Sequence, residues 1–286
     1  MAGETTTTSV TETIYTTIIT DRILRELRPL SVMRPFFRTA TPGNSLSYDF
    51  TKLDDMAITN VETPAEAQDL TNREVTTDKV RVTASVKAIM ASVTDLAQRV
   101  SLLDVMSEVQ GVLARTMAEK WEVDAAANLA NFSNVTTAAA TLTVSDIQKA
   151  IAALEQRDVT QSLVTVLHPK QAGELRADLI AQSGTYWSRS GAADSGLDRY
   201  HQVGLVGSLF GVPIYQTSVV PTSDAGAKYA GAMFVGGEAL GLLQLWDVKT
   251  ELQRDASKLL TEIVLSNCYG FVEIDDVRGQ TIKSNS

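Results

Sequence analysis

The sequence predicts an α+β chain built on one long helix, one projecting two-stranded ribbon and a later region where helices and strands interleave. Three observations carry this. Apolar residues recur in steps of three and four from Ser101 to Phe132, two runs near residues 46–50 and 80–90 alternate with period two, and the texture after residue 143 becomes mixed.

The long stretch reads SLLDVMSEVQGVLARTMAEKWEVDAAANLANF, with Leu102, Met106, Val109, Leu113, Met117 and Trp121 on one face and Val105 and Val112 beside them. Ser101 and Asp104 place an acceptor and a carboxylate where a first helical turn has unpaired N–H groups, so they mark the expected start. Such a helix spans on the order of 45 Å. Gly111 sits inside it at a cost of about 1 kcal/mol against Ala, which predicts a bend or a close backbone contact.

With 286 residues and 44% hydrophobic side chains, the chain has ample material for a packed core. Its apolar runs are too short for a membrane helix, which needs roughly 20 residues, and the Thr-rich start MAGETTTTSVTET lacks a secretory pattern. No membrane partner and cytoplasmic synthesis are expected. The single cysteine, Cys268, excludes an internal disulfide and reads as a small buried residue. A net charge of −9 has the wrong sign for neutralising phosphates, so tight sequence-specific DNA binding is excluded while proximity to nucleic acid is not.

In chain order, Ile14, Ile18, Leu24 and Leu27 form a short amphipathic helix that Pro29 ends. Arg22, Arg25 and Arg28 lie near one side of it, and two readings stay open: a solvated face or an intermolecular contact. Leu46, Tyr48 and Phe50 then alternate with polar residues, as do Val80, Val82, Ala84, Val86, Ala88 and Met90, and the two runs pair as one long antiparallel ribbon. Its tip carries Asp54, Asp55, Glu62, Glu66 and Asp69 before Arg73 and has no core of its own. A lone ribbon is marginal in water, so this one rests on its own domain or on a neighbour.

Val93 to Val100 predicts a short helix, and Asn131 to Leu142 a small-residue connection. Thr143 to Gln156 predicts a helix capped by Ser145, with Ile147, Ile151 and Leu154 inward. Leu163 to Leu167 is a buried strand, and His168–Pro169 opens the next helix with Pro at its favoured first position. GTYWSRSGAADSG is a surface loop, and strands are expected at Val212 to Gln216, Ala232 to Val235, and in LLQLWDVKTELQRD and LTEIVLSNCYGFVEID.

No catalytic motif emerges. Gly204, Gly207 and Gly211 match no phosphate-binding spacing and read as a turn into a strand, and the G-x-S-x-G elbow is absent. Two histidines, His168 and His201, without a cysteine pair argue against zinc, and no cofactor is expected, though a carboxylate-ligated metal stays open. His201 with nearby carboxylates is the remaining candidate for a soluble α/β enzyme, and Asp275–Asp276 for an acid pair.

Taken in order, these features resemble the major capsid proteins of tailed bacteriophages, of the Hong Kong 97-type fold. ITDRILRELRPLSVMRPFFR is similar to the family's arm, and GNSLSYDF through KVRVTASVKAIMASV to its extended loop. The Ser101 to Phe132 stretch is similar to its spine helix, and SLVTVLHPKQAGELRADL with GSLFGVPIYQTSVVP to its axial domain. The resemblance implies an arm over 1–45, an extended loop over 46–92 and a peripheral domain with the spine over 93–142. It implies an axial domain over 143–265 and C-terminal strands over 266–286 returning to the peripheral domain.

It further implies a structural, non-enzymatic protein that assembles as pentamers and hexamers into an icosahedral head shell around double-stranded DNA, located in the virion and assembled in the host cytoplasm. Further implied partners are a portal, a separate scaffolding protein and a decoration protein. Arg22, Arg25, Arg28, Asp54, Asp55, Glu62, Glu66 and Arg73 are the expected inter-subunit contacts. Lys52 and Lys79 lie on the ribbon without an evident Asn partner, so no cross-link is expected. The alternative on the same fold is an encapsulin-like compartment holding protein cargo.

Overall fold

The computed structural model describes residues 4–5, 31–43, 45–53, 56, 58–64, 66, 69–101, 105–182 and 205–285. The expected arm helix with Arg22, Arg25 and Arg28, the tip residues Asp54 and Asp55, the Gly/Ser-rich loop and His201 lie outside the described residues.

A short strand β1 (Arg38–Ala40) precedes a hairpin of β2 (Ser47–Leu53) and β3 (Thr77–Thr83), and β4 (Ser85–Thr94) follows after one residue. Helices α1 (Asp95–Val100) and α2 (Val105–Ala127) come next, then β5 (Val135–Thr137), α3 (Val144–Glu155), β6 (Leu163–Leu167) and α4 (Pro169–Gln182). The remaining strands are β7 (Leu205–Leu209), β8 (Val212–Gln216), β9 (Lys228–Val235), β10 (Leu240–Asp255), β11 (Leu260–Glu273) and β12 (Gly279–Asn285).

Among the described residues these strands form three sheets. The first is five-stranded in the order Glu4–Thr5, β4, β11, β10, β1, and the second is seven-stranded in the order β5, β12, β9, β6, β8, β7, with Thr222–Ser223 paired to β9. The third is the β2–β3 hairpin alone. The chain crosses between the large sheets three times, from β4 through α1 and α2 to β5, from β9 to β10 and from β11 to β12.

Helix α2 covers one face of the five-stranded sheet. Val105, Leu113 and Met117 pack on Val93, Ile263 and Leu265, and farther along Trp121, Ala125 and Ala126 join Leu240, Leu242, Tyr269, Val166 and Phe234 in a core that bridges both large sheets. Helices α3 and α4 cover the other side of the seven-stranded sheet through Ile147, Leu154, Leu175 and Leu179 on Leu167, Ile214, Met233 and Ile282. Neighbours such as Met233 and Phe234 thus face different cores, which is why β9 reads as continuously apolar.

Several expectations are corrected. The described part of the long helix runs from Val105, with Ser101 the extended C-cap of α1, and it passes into a 3-10 turn at Asn128–Ala130 before Phe132. Val112 is 57% exposed, since a helix on a sheet buries one stripe only. Thr143 rather than Ser145 caps α3, with the Asp146 carboxylate accepting from Thr143 N at 3.3 Å and Oγ at 2.8 Å. Residues 31–40, expected at the end of an arm, are built into the body, with Val32, Met33, Phe36 and Phe37 buried beside Trp121. The expected boundary at 265/266 falls inside β11, and the last strand joins the seven-stranded sheet beside β9 and β5. A period of two announces a strand without naming its sheet.

Gly111 makes no close approach, for a Cβ there would meet nothing within 4 Å. Gly111→Ala is therefore expected to raise stability by about 0.5–1 kcal/mol, seen as a higher urea midpoint at unchanged slope.

Candidate functional site

The expected single ribbon is two structures. Its second run breaks at Ala84, whose N–H donates to Leu46 O at 2.8 Å; residues before the break pair with β2, and residues after it pair with β11. The inward phase flips there. Val82 and Ala84 are buried at the hairpin root, but Ile89, Ala91 and Val93 face α2, leaving Val86 56% and Met90 59% exposed on the outer face.

The hairpin seats on that outer face, opposite α2. Phe50, Val82 and Ala84 pack against Leu243, Cys268 and Ile274. Contact this close needs a flat patch, which Gly241 on β10 and Gly270 on β11 supply: a Cβ on Gly241 would lie 2.8 Å from the Phe50 ring, and one on Gly270 2.4 Å from Thr83 O. Farther out, Arg81 donates to both Asp49 oxygens at 2.7 and 2.9 Å across the strand pair, holding the Asp49 carboxyl below its usual range.

Beyond this root, none of the described side chains between residues 51 and 81 is buried. Of the expected contact residues in the tip, the structure brings Glu62 and Arg73 together at 3.4 Å, and Glu62 also accepts from Thr71 N at 3.2 Å. Hydrogen bonds from Thr71, then Arg73, hold the Glu62 carboxyl low. Glu66 is exposed, and so are Val61 and Leu70.

Three features went unseen in the sequence. Strand β10 pairs with β1 only at Gly241–Leu243, so among the described residues its outer edge from Gln244 to Asp255 is unpaired, and Trp246, Val248 and Leu252 are exposed along it. Glu122, buried on α2, accepts from Ser31 Oγ at 2.6 Å and from Val32 N and Met33 N at 3.0 and 3.2 Å; burial pushes its carboxyl up despite these bonds. Lys52 bonds Asp275 at 3.0 Å across 223 residues. The only sequence signal for Glu122 was a charge interrupting the apolar end of the helix.

Asp275 and Asp276 form no open acid pair. Asp275 holds Lys52 and Arg278, and Asp276 accepts from Ser133 N at 2.7 Å. Beside them, burial first and then Asp276 and Asp275 push the Glu273 carboxyl from 4.5 up to about 7. A raised carboxyl favours the protonated folded form, so its contribution to stability is lost as pH rises from 4.5 to about 7. Urea unfolding at stepped pH is expected to show that decline in the native chain and a flatter profile in Glu273→Gln. Among the described residues no group of three or more His, Cys, Asp or Glu side chains is placed to hold a metal, and no helix is long and apolar enough to cross a membrane. His168 stacks on Tyr229 at 3.7 Å, and its Nδ1 accepts from Lys170 N, a strand-to-helix junction role.

A spine helix over a sheet, a hairpin projecting from the sheet's far side and a second helix-covered sheet define a capsid subunit of the Hong Kong 97 type. The capsid chain of Cyanophage P-SCSP1u matches with a TM-score of 0.74 at 14% identity, over 96% of this chain and 94% of that one. A chain of Mycobacterium phage Che8 matches at 0.69 and 17% identity over 92% and 94%, and the SrpI encapsulin of Synechococcus elongatus at 0.63 and 12% over 92% and 90%. No curated protein matches. A family model described as phage capsid protein matches residues 77–269, and the chain belongs to that family. It is a phage major capsid protein with a structural role, as its resemblance implied.

Proposed function

We propose that this subunit assembles as pentamers and hexamers into an icosahedral shell that encloses double-stranded DNA in the virion head, after assembly in the host cytoplasm. The observation that carries the reading is the hairpin, anchored at its root on Gly241 and Gly270, with no buried side chain among those described between residues 51 and 81. An element built this way contributes little to its own core and offers contacts to a neighbour. The unpaired edge of β10 and the bare outer face around Val86 and Met90 offer more. Head-to-tail contacts of this kind close into rings, and many modest contacts sum within a shell.

In this reading Arg22, Arg25, Arg28, Asp54, Asp55, Glu62, Glu66 and Arg73 contact neighbours, and a portal, a scaffolding protein and a decoration protein complete the head. The net charge of −9 fits a container that encloses DNA without gripping it. Deleting residues 54–69, none of which is buried where described, is expected to leave the helical circular dichroism and melting unchanged while closed shells disappear from electron micrographs. Shells of native size from the deleted chain would overturn the hairpin's role. The match to an encapsulin supports a second reading, a protein-filled compartment, and shells purified from the natural source that contain cargo protein and no DNA would favour it.

A further inference from the structure

Where the chain crosses between the two large sheets, one run of charged side chains ties three parts of the molecule together. Lys52, at the end of β2, donates to Asp275 Oδ1 at 3.0 Å; Asp275 Oδ2 accepts from Arg278 Nε at 3.1 Å; and Arg278 Nη1 pairs with Glu238. Glu238 lies in the β9–β10 crossover, and Asp275 and Arg278 lie in the β11–β12 crossover. The two crossovers are thus bridged by one guanidinium, and the hairpin is bonded to the bridge.

Asp275 is the buried centre of the run, while the Arg278 and Glu238 side chains are 44% and 55% exposed. The Asp275 side chain is only 9% exposed, it also accepts from Val277 N at 3.2 Å, and its own N–H reaches Ala239 O at 3.4 Å, inside the other crossover. Asp276 is fixed by Ser133, and Glu273 stands next to it. Lys52 is the one member that comes from the hairpin, and its side chain is 34% exposed. The root contacts of Phe50 and Val82 are apolar and fit a flat glycine patch. The charged bond at Lys52, two residues beyond Phe50, adds a directional contact at the outer margin of that apolar seat.

We propose that Lys52, Asp275, Arg278 and Glu238 form a latch that sets the direction of the hairpin relative to both sheets, so that opening Lys52–Asp275 lets the hairpin swing while the body stays folded. Arg278 continues to neutralise Asp275 when Lys52 is removed, which is why the body tolerates the loss. This concerns the single subunit and does not depend on the assembly reading.

Spin labels at the exposed positions Lys79, on β3, and Gln148, on α3, test it by pulsed dipolar spectroscopy. Labelled chains are diluted in unlabelled ones so that only distances within a chain register. The native latch is expected to give one narrow distribution. Lys52→Met is expected to broaden it about twofold at a melting temperature close to native, and Lys52→Arg to restore the narrow form. Asp275→Asn, which removes the partner from the other side, is expected to broaden it as Lys52→Met does. An unbroadened distribution in Lys52→Met overturns the proposal, whether melting is unchanged or lowered, because the pair would then be inert or merely stabilising.

Discussion

Leu113→Asp is expected to lower the melting temperature of the subunit sharply. Leu113 is 5% exposed at the middle of α2, packed with Val105, Met117, Ile263 and Leu265, and that cluster contains no cation or donor. Burying an unpaired carboxylate there costs on the order of 4 kcal/mol or more, against about 5–15 kcal/mol for a whole domain. The residue next door supplies the control. Val112→Asp, one residue earlier and solvent-facing, is expected to change stability by about 0.5 kcal/mol or less. Circular dichroism melts of the two variants make the comparison, and equal melting temperatures would mean that the helix face is misassigned.

Gly270→Val is expected to unseat the hairpin. The new Cβ starts 2.4 Å from Thr83 O and 3.2 Å from Ala84 Cα, both backbone atoms at the turn from β3 to β4, so no side-chain rotation relieves the overlap. Relief comes from lifting β3 off the sheet, at a cost of about 3 kcal/mol, together with the Ala84 to Leu46 hydrogen bond. Trypsin should then cut after Lys79 and Arg81 about tenfold faster than in the native chain, since local opening exposes the strand. Unchanged cleavage with unchanged melting would show that the sheet accepts a side chain at this point.

Local elements were legible because their signals are local. Leu163 to Leu167 and the His168–Pro169 opening of α4 stand where the pattern put them, since a short apolar run and a proline at the first helical turn need no knowledge of the rest of the chain. The 80–90 run was misread for a physical reason. Val86 and Met90 alternate as well as Ile89 and Val93 do, and periodicity cannot say which set is buried when both are apolar. The family resemblance came through because it rests on the order of elements, which survives low sequence identity.

The candidate site was legible only as a place. An acidic, coreless tip between two alternating runs pointed to a projection, but the groups that anchor it lie far apart in sequence. Gly241 and Gly270 carry no local signal of the backbone they admit, and nothing near Lys52 hints at Asp275. Glu122 was likewise silent, because its partners are mostly backbone N–H groups of residues about 90 positions earlier.

The position of β12 bears on when the subunit becomes usable. It is the last strand in chain order among the described residues, yet it lies inside the seven-stranded sheet, between β9 and β5, with Ile282 fully buried. Until residues 279–285 leave the ribosome, β9 has an open edge, β5 has no partner and the α3 side of the sheet lacks a core residue. Residues 279–285 are therefore needed to complete the seven-stranded sheet, and a subunit in which they are unpaired exposes the edge of β9.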